Sequence, residues 1–197
     1  MKKTEIIYRE ILFDAIESKK NRFTQLELSK KLNVSLSTVN NALKPLDKIR
    51  GISIEKRFFS IRDIEKILIF WATKRNLDKD IIYKTNINLS IQDIEKNLPS
   101  EIIYTAYSAY KFRFDDVPAD YSEVIIYSNK LDEIKARFPL KKGHENLVVL
   151  NQDKEMNRLS RNNIAPSLQI YVDLWNLGTW YAKEFLKALE QKILKVR

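Results

Sequence analysis

The side chains that enzymes use most often for chemistry are scarce in this chain of 197 residues. It has no cysteine, a single histidine (His144) and only three scattered glycines, which argues against thiolate chemistry, a conventional Ser–His–Asp triad and a glycine-rich phosphate loop. The carboxylates nearest a predicted strand are those of Asp115, Asp116, Asp120 and Glu123. A restriction-type nuclease would place Glu-x-Lys there, but Val-Ile-Ile-Tyr follows Glu123.

We therefore predict a protein that is not an enzyme and that has neither a metal site nor a cofactor. The acidic loop with Pro118 is interpreted as a solvated turn. The less favoured alternative is a divergent metal-dependent nuclease or nucleotidyltransferase that uses Asp120 and Glu123.

Another set of polar residues has the chemistry of base and phosphate recognition. Ser, Thr and Asn side chains lie on one face of a predicted helix, together with Lys44. Hydroxyls, amides and a cation on such a face can bind base edges and phosphates in a DNA major groove. The residues predicted to bind double-stranded DNA are Lys31, Ser35, Ser37, Thr38, Asn40, Asn41, Lys44, Lys56 and Arg57.

Residues 23–46 supply the two helices that would position this face, in the pattern of a helix-turn-helix. Thr24 with Glu27 forms a capping-box pattern, Asn33 suits the turn, and Ser35 caps the second helix. Pro45 is expected to bend or end that helix near Lys44. The apolar residues expected to face the core are Leu26, Leu28 and Leu32, then Leu36, Val39, Leu43 and Leu46.

The segment after this pair has the pattern of a short hairpin. Ile52 and Ile54 alternate with polar residues, Lys56 and Arg57 occupy a tight turn, and the chain returns over 58–61. A hairpin with two cations at its tip is typical of the wing of a winged helix, which contacts phosphate or a minor groove. The alternative is an ordinary structural hairpin.

Helices predicted over 3–19 and 64–76 complete this part of the chain. The second of them is expected to form a bridge between the two halves or a contact in a dimer.

The positive charge is concentrated in the same part of the chain. Of the formal net charge of +9, residues 1–76 hold 17 Lys/Arg against 9 Asp/Glu, whereas residues 77–197 hold 18 against 17. An excess that ends near Asn76 is expected where a protein binds a polyanion. We therefore predict a DNA-binding domain over 1–76 and a second domain over 77–197.

The second half alternates between helix and strand patterns, which predicts a mixed α+β fold with a mostly parallel sheet. Strands are predicted over 81–87 (or a helical extension there), 123–127 and 146–150, with helices from Ser90 to near Pro99, over 101–112 and over 131–138. Two helices are predicted at the end, from Pro166 to the break at Gly178 and over 179–196, with a stripe that reaches Val196.

The sequence has neither a signal-peptide pattern at its start nor a run of about 18 apolar residues, so we expect a soluble, cytoplasmic protein without a membrane partner. A homodimer is also expected, because two half-sites raise the affinity and specificity of helix-turn-helix proteins for DNA.

Two segments of the second half carry a family resemblance. Thr105, Tyr107, Ser108 and Ala109 match a T-x-Y-S-A helix, and a P-x-Q-x-Y-x-D-L helix is matched by Pro166, Gln169, Tyr171, Asp173 and Leu174. Together with the predicted winged helix, they resemble the AbiEi-type antitoxins and their archaeal relatives. The chain departs from that pattern before its last helix, where it has Trp175-Asn-Leu-Gly-Thr179 in place of a Gly/Arg-rich junction.

The resemblance implies a transcriptional regulator that binds repeats in its own promoter and represses a two-gene operon, as the antitoxin of a type IV toxin–antitoxin system. The partner gene would then encode a nucleotidyltransferase-like toxin, counteracted without a stable complex. The sequence is equally compatible with a solitary winged-helix regulator. A third alternative is a protein-interaction module without a toxin, in which the basic charge is incidental.

Overall fold

The computed structural model describes residues 1–194 and divides the chain into two compact units, Met1–Arg75 and Asn76 onward. The boundary expected from sequence lies one residue later. Helices and two separate sheets make up the two units, so the predicted α+β class is confirmed. None of the helices found between residues 1 and 194 combines the length and the apolar character needed to cross a membrane.

The first unit consists of four helices and three short strands. The helices are α1 (Lys3–Glu17), α2 (Gln25–Leu32), α3 (Leu36–Lys48) and α4 (Ile64–Lys74), and the strands are β1 (Arg22–Phe23), β2 (Ile52–Ile54) and β3 (Phe59–Ile61). The strands form an antiparallel sheet in the order β1-β3-β2. Strand β1 was not expected from the sequence, because two residues are too few to show an alternating pattern.

Local capping fixes the ends of the helix pair. The side chain of Thr24 accepts a hydrogen bond from the Glu27 amide at the start of α2, and that of Ser35 accepts one from the Thr38 amide at the start of α3 (each 3.1 Å). Between the helices, Asn33 adopts a left-handed backbone with φ 49° and ψ 50°, a conformation that asparagine tolerates better than most residues. These contacts set the turn that separates α2 from α3.

The core of this unit lies between α1, α3 and α4. Val39, Ala42, Leu43 and Leu46 form the buried stripe of α3, and all four are fully buried. The expectation that Leu36 belongs to this stripe is wrong, because Ala42 continues it and Leu36 is 49% exposed at the first position of the helix.

Two further expectations for the helix pair are wrong, namely that Leu26 faces the core and that α3 ends near Lys44. Leu26 is 52% exposed on α2, so only Leu28 and Leu32 of that helix enter the core. Helix α3 continues through Pro45 to Lys48, and the Ile49 amide donates to the Pro45 carbonyl at 3.2 Å. Packing of Leu43 and Leu46 on the core outweighs the one hydrogen bond that proline removes.

Gly51 joins α3 to the hairpin where no larger residue fits. Its carbonyl accepts from the amides of Arg62 and Asp63, at 2.8 and 3.0 Å, which closes the base of the hairpin. A Cβ atom on Gly51 would lie 2.8 Å from Cγ1 of the buried Ile67. The glycine is therefore needed for close approach of the hairpin to α4.

The second unit contains a four-stranded sheet with helices around it. The strands are β4 (Ile81–Thr85), β5 (Ile103–Tyr104), β6 (Val124–Ser128) and β7 (Leu147–Asn151). The helices are α5 (Ile91–Asn97), α6 (Ala106–Phe114), α7 (Leu131–Arg137), α8 (Met156–Leu159), α9 (Ser167–Trp175) and α10 (Trp180–Ile193), and a short 3-10 turn spans Leu77–Asp80. The order of the strands is β4-β7-β6-β5.

The sheet is less parallel than expected. Of the three strand pairs that the described residues form in this sheet, β6–β7 is parallel, while β4–β7 and β5–β6 are antiparallel, so the prediction of a mostly parallel sheet is wrong. The predicted helix over 101–112 is also wrong at its start, since Ile103 and Tyr104 pair with β6 and α6 begins only at Ala106. Apolar residues at 102 and 103 fit either period, and pairing with β6 decides between them. Val196, predicted at the end of the last stripe, lies outside the described residues.

Candidate nucleic-acid interface

The outward side of α3 presents polar side chains that form no hydrogen bond or ion pair with the part of the chain that the structure describes. Ser37, Asn41 and Lys44 are exposed, and Asn40 is half-buried. Within residues 1–194, none of these four side chains has a hydrogen bond or an ion pair to another residue. Their donors and acceptors are therefore available to a ligand. An amide can both donate to and accept from a base edge, and a lysine can bind phosphate.

Ser35 caps α3 as predicted, and its hydroxyl is also engaged with that of Thr38. Besides the cap to the Thr38 amide, the hydroxyls of Ser35 and Thr38 lie 2.8 Å apart and hydrogen-bond to each other. Both side chains are therefore part of the structure that begins α3. Their role in the site is to hold the first turn of the helix, which in turn positions Ser37 and Asn40.

Lys31, which is predicted to contact phosphate, lies against two carboxylates of α1. Its ammonium is 2.5 Å from Oε1 of Glu10, which is fully buried, and 2.9 Å from Oδ2 of Asp14. Partial burial opposes the charged form, but the hydrogen bonds that the ammonium donates to Glu10 and Asp14 prevail and raise the pKa of Lys31. The sequence could not show this contact, because it joins residues 17 and 21 positions apart in different helices.

The tip of the β2–β3 hairpin carries the two cations expected there. Lys56 and Arg57 are exposed. The turn that contains them is closed by the Glu55 amide, which donates to the Phe58 carbonyl at 2.8 Å. Neither cation has an ion pair among the described residues. Because both residues lie at the tip of the hairpin, the two charged side chains are exposed side by side.

Arg22 is a further cation beside the hairpin and is not among the residues predicted to bind DNA. It lies on β1 opposite Ser60 of β3, and the centre of its guanidinium is 4.9 Å from the centroid of the Phe58 ring. The aromatic ring orients the guanidinium, and Arg22 as a whole is exposed. Only the unexpected pairing of β1 with β3 places Arg22 near the hairpin, so no local pattern could have revealed it.

Some other cations of the first unit form ion pairs within it. Lys20 pairs with Glu27, whose pKa is lowered mainly by that hydrogen bond, and Lys66 lies 3.7 Å from Asp63. The positive charge left available on the described surface includes Arg22, Lys44, Lys56 and Arg57. An uncompensated set of this kind favours a polyanionic ligand.

The acidic residues considered for catalysis are engaged in contacts within the second unit or lie at its surface. Glu123 accepts hydrogen bonds from the Tyr181 hydroxyl and from Ser122, the latter at 2.9 Å. Asp116 accepts from Tyr110 at 2.9 Å, which is the main cause of its lowered pKa, and Asp120 is exposed. Among residues 1–194, no three His, Asp or Glu side chains cluster closely enough to hold a metal ion.

The two motif segments of the second unit meet in a buried polar network. Oδ2 of Asp173 accepts from the hydroxyls of Thr105 and Tyr127 (2.7 Å each), and Oδ1 accepts from the Gln169 amide at 2.9 Å. The Gln169 amide also donates to the Tyr127 hydroxyl at 3.0 Å. All four side chains are at most 2% exposed, so this network joins α6, β6 and α9 inside the core. Its residues stabilise the fold and do not form an open site.

Comparison with known proteins gives no further assignment. The chain matches no protein-family model, no curated protein and no solved structure.

Proposed function

We propose that residues 1–75 form a winged helix that binds double-stranded DNA, with α3 as the recognition helix and the β2–β3 hairpin as the wing. The observation that carries this proposal is the polar side of α3 (Ser37, Asn40, Asn41), whose side chains have no partner among residues 1–194, in the same unit as cations that form no ion pair with those residues. The chain order helix, strand, helix, helix, strand, strand, with the first strand added to the hairpin, is consistent with this assignment.

Each residue of the interface then has a distinct role. Ser37, Asn40 and Asn41 contact base edges, and amides suit the paired donor and acceptor of adenine. Lys44 contacts phosphate from α3, while Lys56 and Arg57 contact it from the wing, with Arg22 beside them. Ser35 and Thr38 hold the start of the helix, and Lys31 has a structural role through Glu10 and Asp14.

The biological role we propose is that of a non-catalytic transcriptional regulator in the cytoplasm. The resemblance of the motif segments around Thr105 and Asp173 supports a more specific form, an autorepressing antitoxin of a type IV toxin–antitoxin system. In that form the protein binds promoter repeats as a homodimer, and its functional partner is a nucleotidyltransferase-like toxin encoded alongside it. A gene of that kind next to this one supports the specific form.

The test of DNA binding uses the full chain and a duplex that spans the DNA upstream of its own coding sequence. The affinity is measured between 50 and 200 mM salt (about the range over which phosphate contacts dominate). The variant Lys56→Ala with Arg57→Ala should weaken binding to every duplex. It should also make the slope of log affinity against log salt concentration less steep by about 1.8 per protomer, or about 0.9 for each phosphate that is no longer neutralised. The variant Lys141→Ala with Lys142→Ala removes the same charge from the second unit and serves as the control.

Sequence preference is tested by a second variant, Asn40→Ala with Asn41→Ala. Loss of base contacts should reduce the discrimination between the promoter duplex and a scrambled duplex by about tenfold or more, since one bidentate contact contributes about 1–3 kcal/mol. Unchanged affinity and discrimination in both variants would remove α3 and the hairpin from any DNA interface. Binding of a protein in place of DNA, insensitive to both variants, would instead favour an interaction module.

A further inference from the structure

Leu36 is an apolar residue at the position of α3 where base contacts are expected. It is the first residue of the helix and is 49% exposed, although the stripe that packs on the core is complete without it. Recognition helices contact bases mainly through their N-terminal residues. Isolated exposed leucines are common on protein surfaces, so the significance of Leu36 comes from its position and neighbours.

The neighbour that matters is Asn40, which lies one helical turn after Leu36. Residues four apart lie on the same side of an α-helix, so the leucine side chain and the Asn40 amide face one stretch of any ligand bound along α3. The Asn40 side chain has no hydrogen-bond partner among residues 1–194. An unpartnered amide beside an exposed apolar group therefore forms a mixed polar and apolar surface.

In the DNA major groove, this surface matches one kind of base pair. The C5-methyl group of thymine is the one apolar group that the standard base pairs present in the major groove, and adenine presents the donor and acceptor that an asparagine amide binds. A leucine placed at a guanine or cytosine edge would cover hydrogen-bonding groups without satisfying them. The pairing of leucine with asparagine therefore favours A·T pairs.

We propose that Leu36 contacts thymine methyl groups next to an adenine bound by Asn40, so that the DNA site of this protein contains A·T pairs beneath the start of α3. The inference rests on the proposed function, since it assigns specificity to the same interface. It adds that part of the sequence preference comes from apolar contact and is independent of hydrogen bonding.

The experiment replaces thymine by uracil, which removes the methyl group and leaves all hydrogen bonds of the base pair in place. Duplexes that the full chain selects from a randomised pool are prepared with each thymine of the selected site changed singly to deoxyuridine. The affinities of the wild type, Leu36→Ala and Leu26→Ala are measured for each duplex. Leu26 is the matched control, because it is a leucine of similar exposure (52%) on α2.

The wild type should bind at least one uracil duplex about three- to tenfold more weakly than the thymine duplex, as expected for loss of one buried methyl group. Leu36→Ala should bind the thymine duplex more weakly by a similar factor and should no longer distinguish the two. Leu26→Ala should keep the discrimination of the wild type. Because Leu36 lies outside the core, its variant should keep the thermal unfolding midpoint of the wild type, which shows that the change acts on binding.

Two failures are distinguishable. If the wild type selects a DNA site but binds every uracil duplex as tightly as its thymine parent, or if Leu36→Ala keeps the full preference for thymine, the methyl contact is overturned and the winged-helix proposal stands. If the wild type selects no sequence and binds no duplex, the proposed function itself is overturned.

Discussion

At the scale of single residues, contacts between distant parts of the chain separate structural residues from those available for binding. Lys31 and Lys44 are both lysines on the predicted helix pair, yet Lys31 lies against the carboxylates of Glu10 and Asp14 while Lys44 has no partner within the described chain. Residue type and helical position alone do not distinguish them.

The substitution Lys31→Met tests this distinction. Removal of the ammonium leaves buried carboxylate oxygens of Glu10 without one partner, so the free energy of unfolding should fall by about 1–3 kcal/mol, a range reduced because the lysine is one-third exposed. The measurement is denaturant unfolding. Lys30→Met, at the exposed neighbouring lysine, should change stability by less than about 0.5 kcal/mol. Full stability together with loss of DNA affinity in Lys31→Met would identify Lys31 as a DNA contact after all.

Gly51 gives a prediction for the position of the hairpin. In Gly51→Ala the new methyl group would lie 2.8 Å from Cγ1 of the buried Ile67, so the hairpin or α4 must shift. The expected loss of stability is about 1–3 kcal/mol, measured by thermal or denaturant unfolding. Gly178→Ala is the control, because no atom lies within 4 Å of its added Cβ. Equal stability of the two variants would contradict the close packing at Gly51.

At the scale of elements, the buried network around Asp173 decides how α6, β6 and α9 of the second unit pack. Donors from Thr105, Tyr127 and Gln169 converge on one carboxylate that is fully buried. A buried charge of this kind is tolerated only when its oxygens accept several hydrogen bonds. Asp173 of α9 is therefore hydrogen-bonded both to the start of α6 and to β6.

The substitution Asp173→Ala should consequently be severe. It leaves buried donors of Thr105, Tyr127 and Gln169 without their shared acceptor, and the expected loss of stability is about 3 kcal/mol or more, since each buried donor left unsatisfied costs about 1–3 kcal/mol. Tyr127→Phe removes one donor and keeps the ring, so it should cost less, about 1–2 kcal/mol. Denaturant unfolding of both variants shows which one loses more stability. A smaller loss for Asp173→Ala than for Tyr127→Phe would contradict the central place of the carboxylate.

At the scale of the whole molecule, the basic charge of the first unit determines how binding should respond to salt. Arg22, Lys44, Lys56 and Arg57 would give about four phosphate contacts per protomer, hence a slope of log affinity against log salt of about −3.5 for a monomer and about −7 for a dimer. The slope is obtained by titration at several salt concentrations, with the stoichiometry from sedimentation. A slope near zero would contradict a DNA interface, and sedimentation of the complex separates the monomer from the dimer.

Much of the first unit could be predicted from sequence because its elements are encoded locally. Thr24, Ser35 and Asp63 cap helices through residues three positions away, and the hairpin cations follow from a tight turn. In the second unit, strands β6 and β7 lie where apolar runs indicated them. The α+β class follows from these local signals.

The sequence by itself therefore determined most of the helices, though not α8 or the start of α6, together with the hairpin, the division of charge and the polar character of α3. Tertiary structure alone decided the pairing of β1 with β3, the mixed direction of the second sheet, the neutralisation of Lys31 and the exposure of Leu36. The physical reason is range: caps and turns depend on neighbours within a few residues, whereas strand pairing and the partners of a charge depend on residues brought together only when the chain folds.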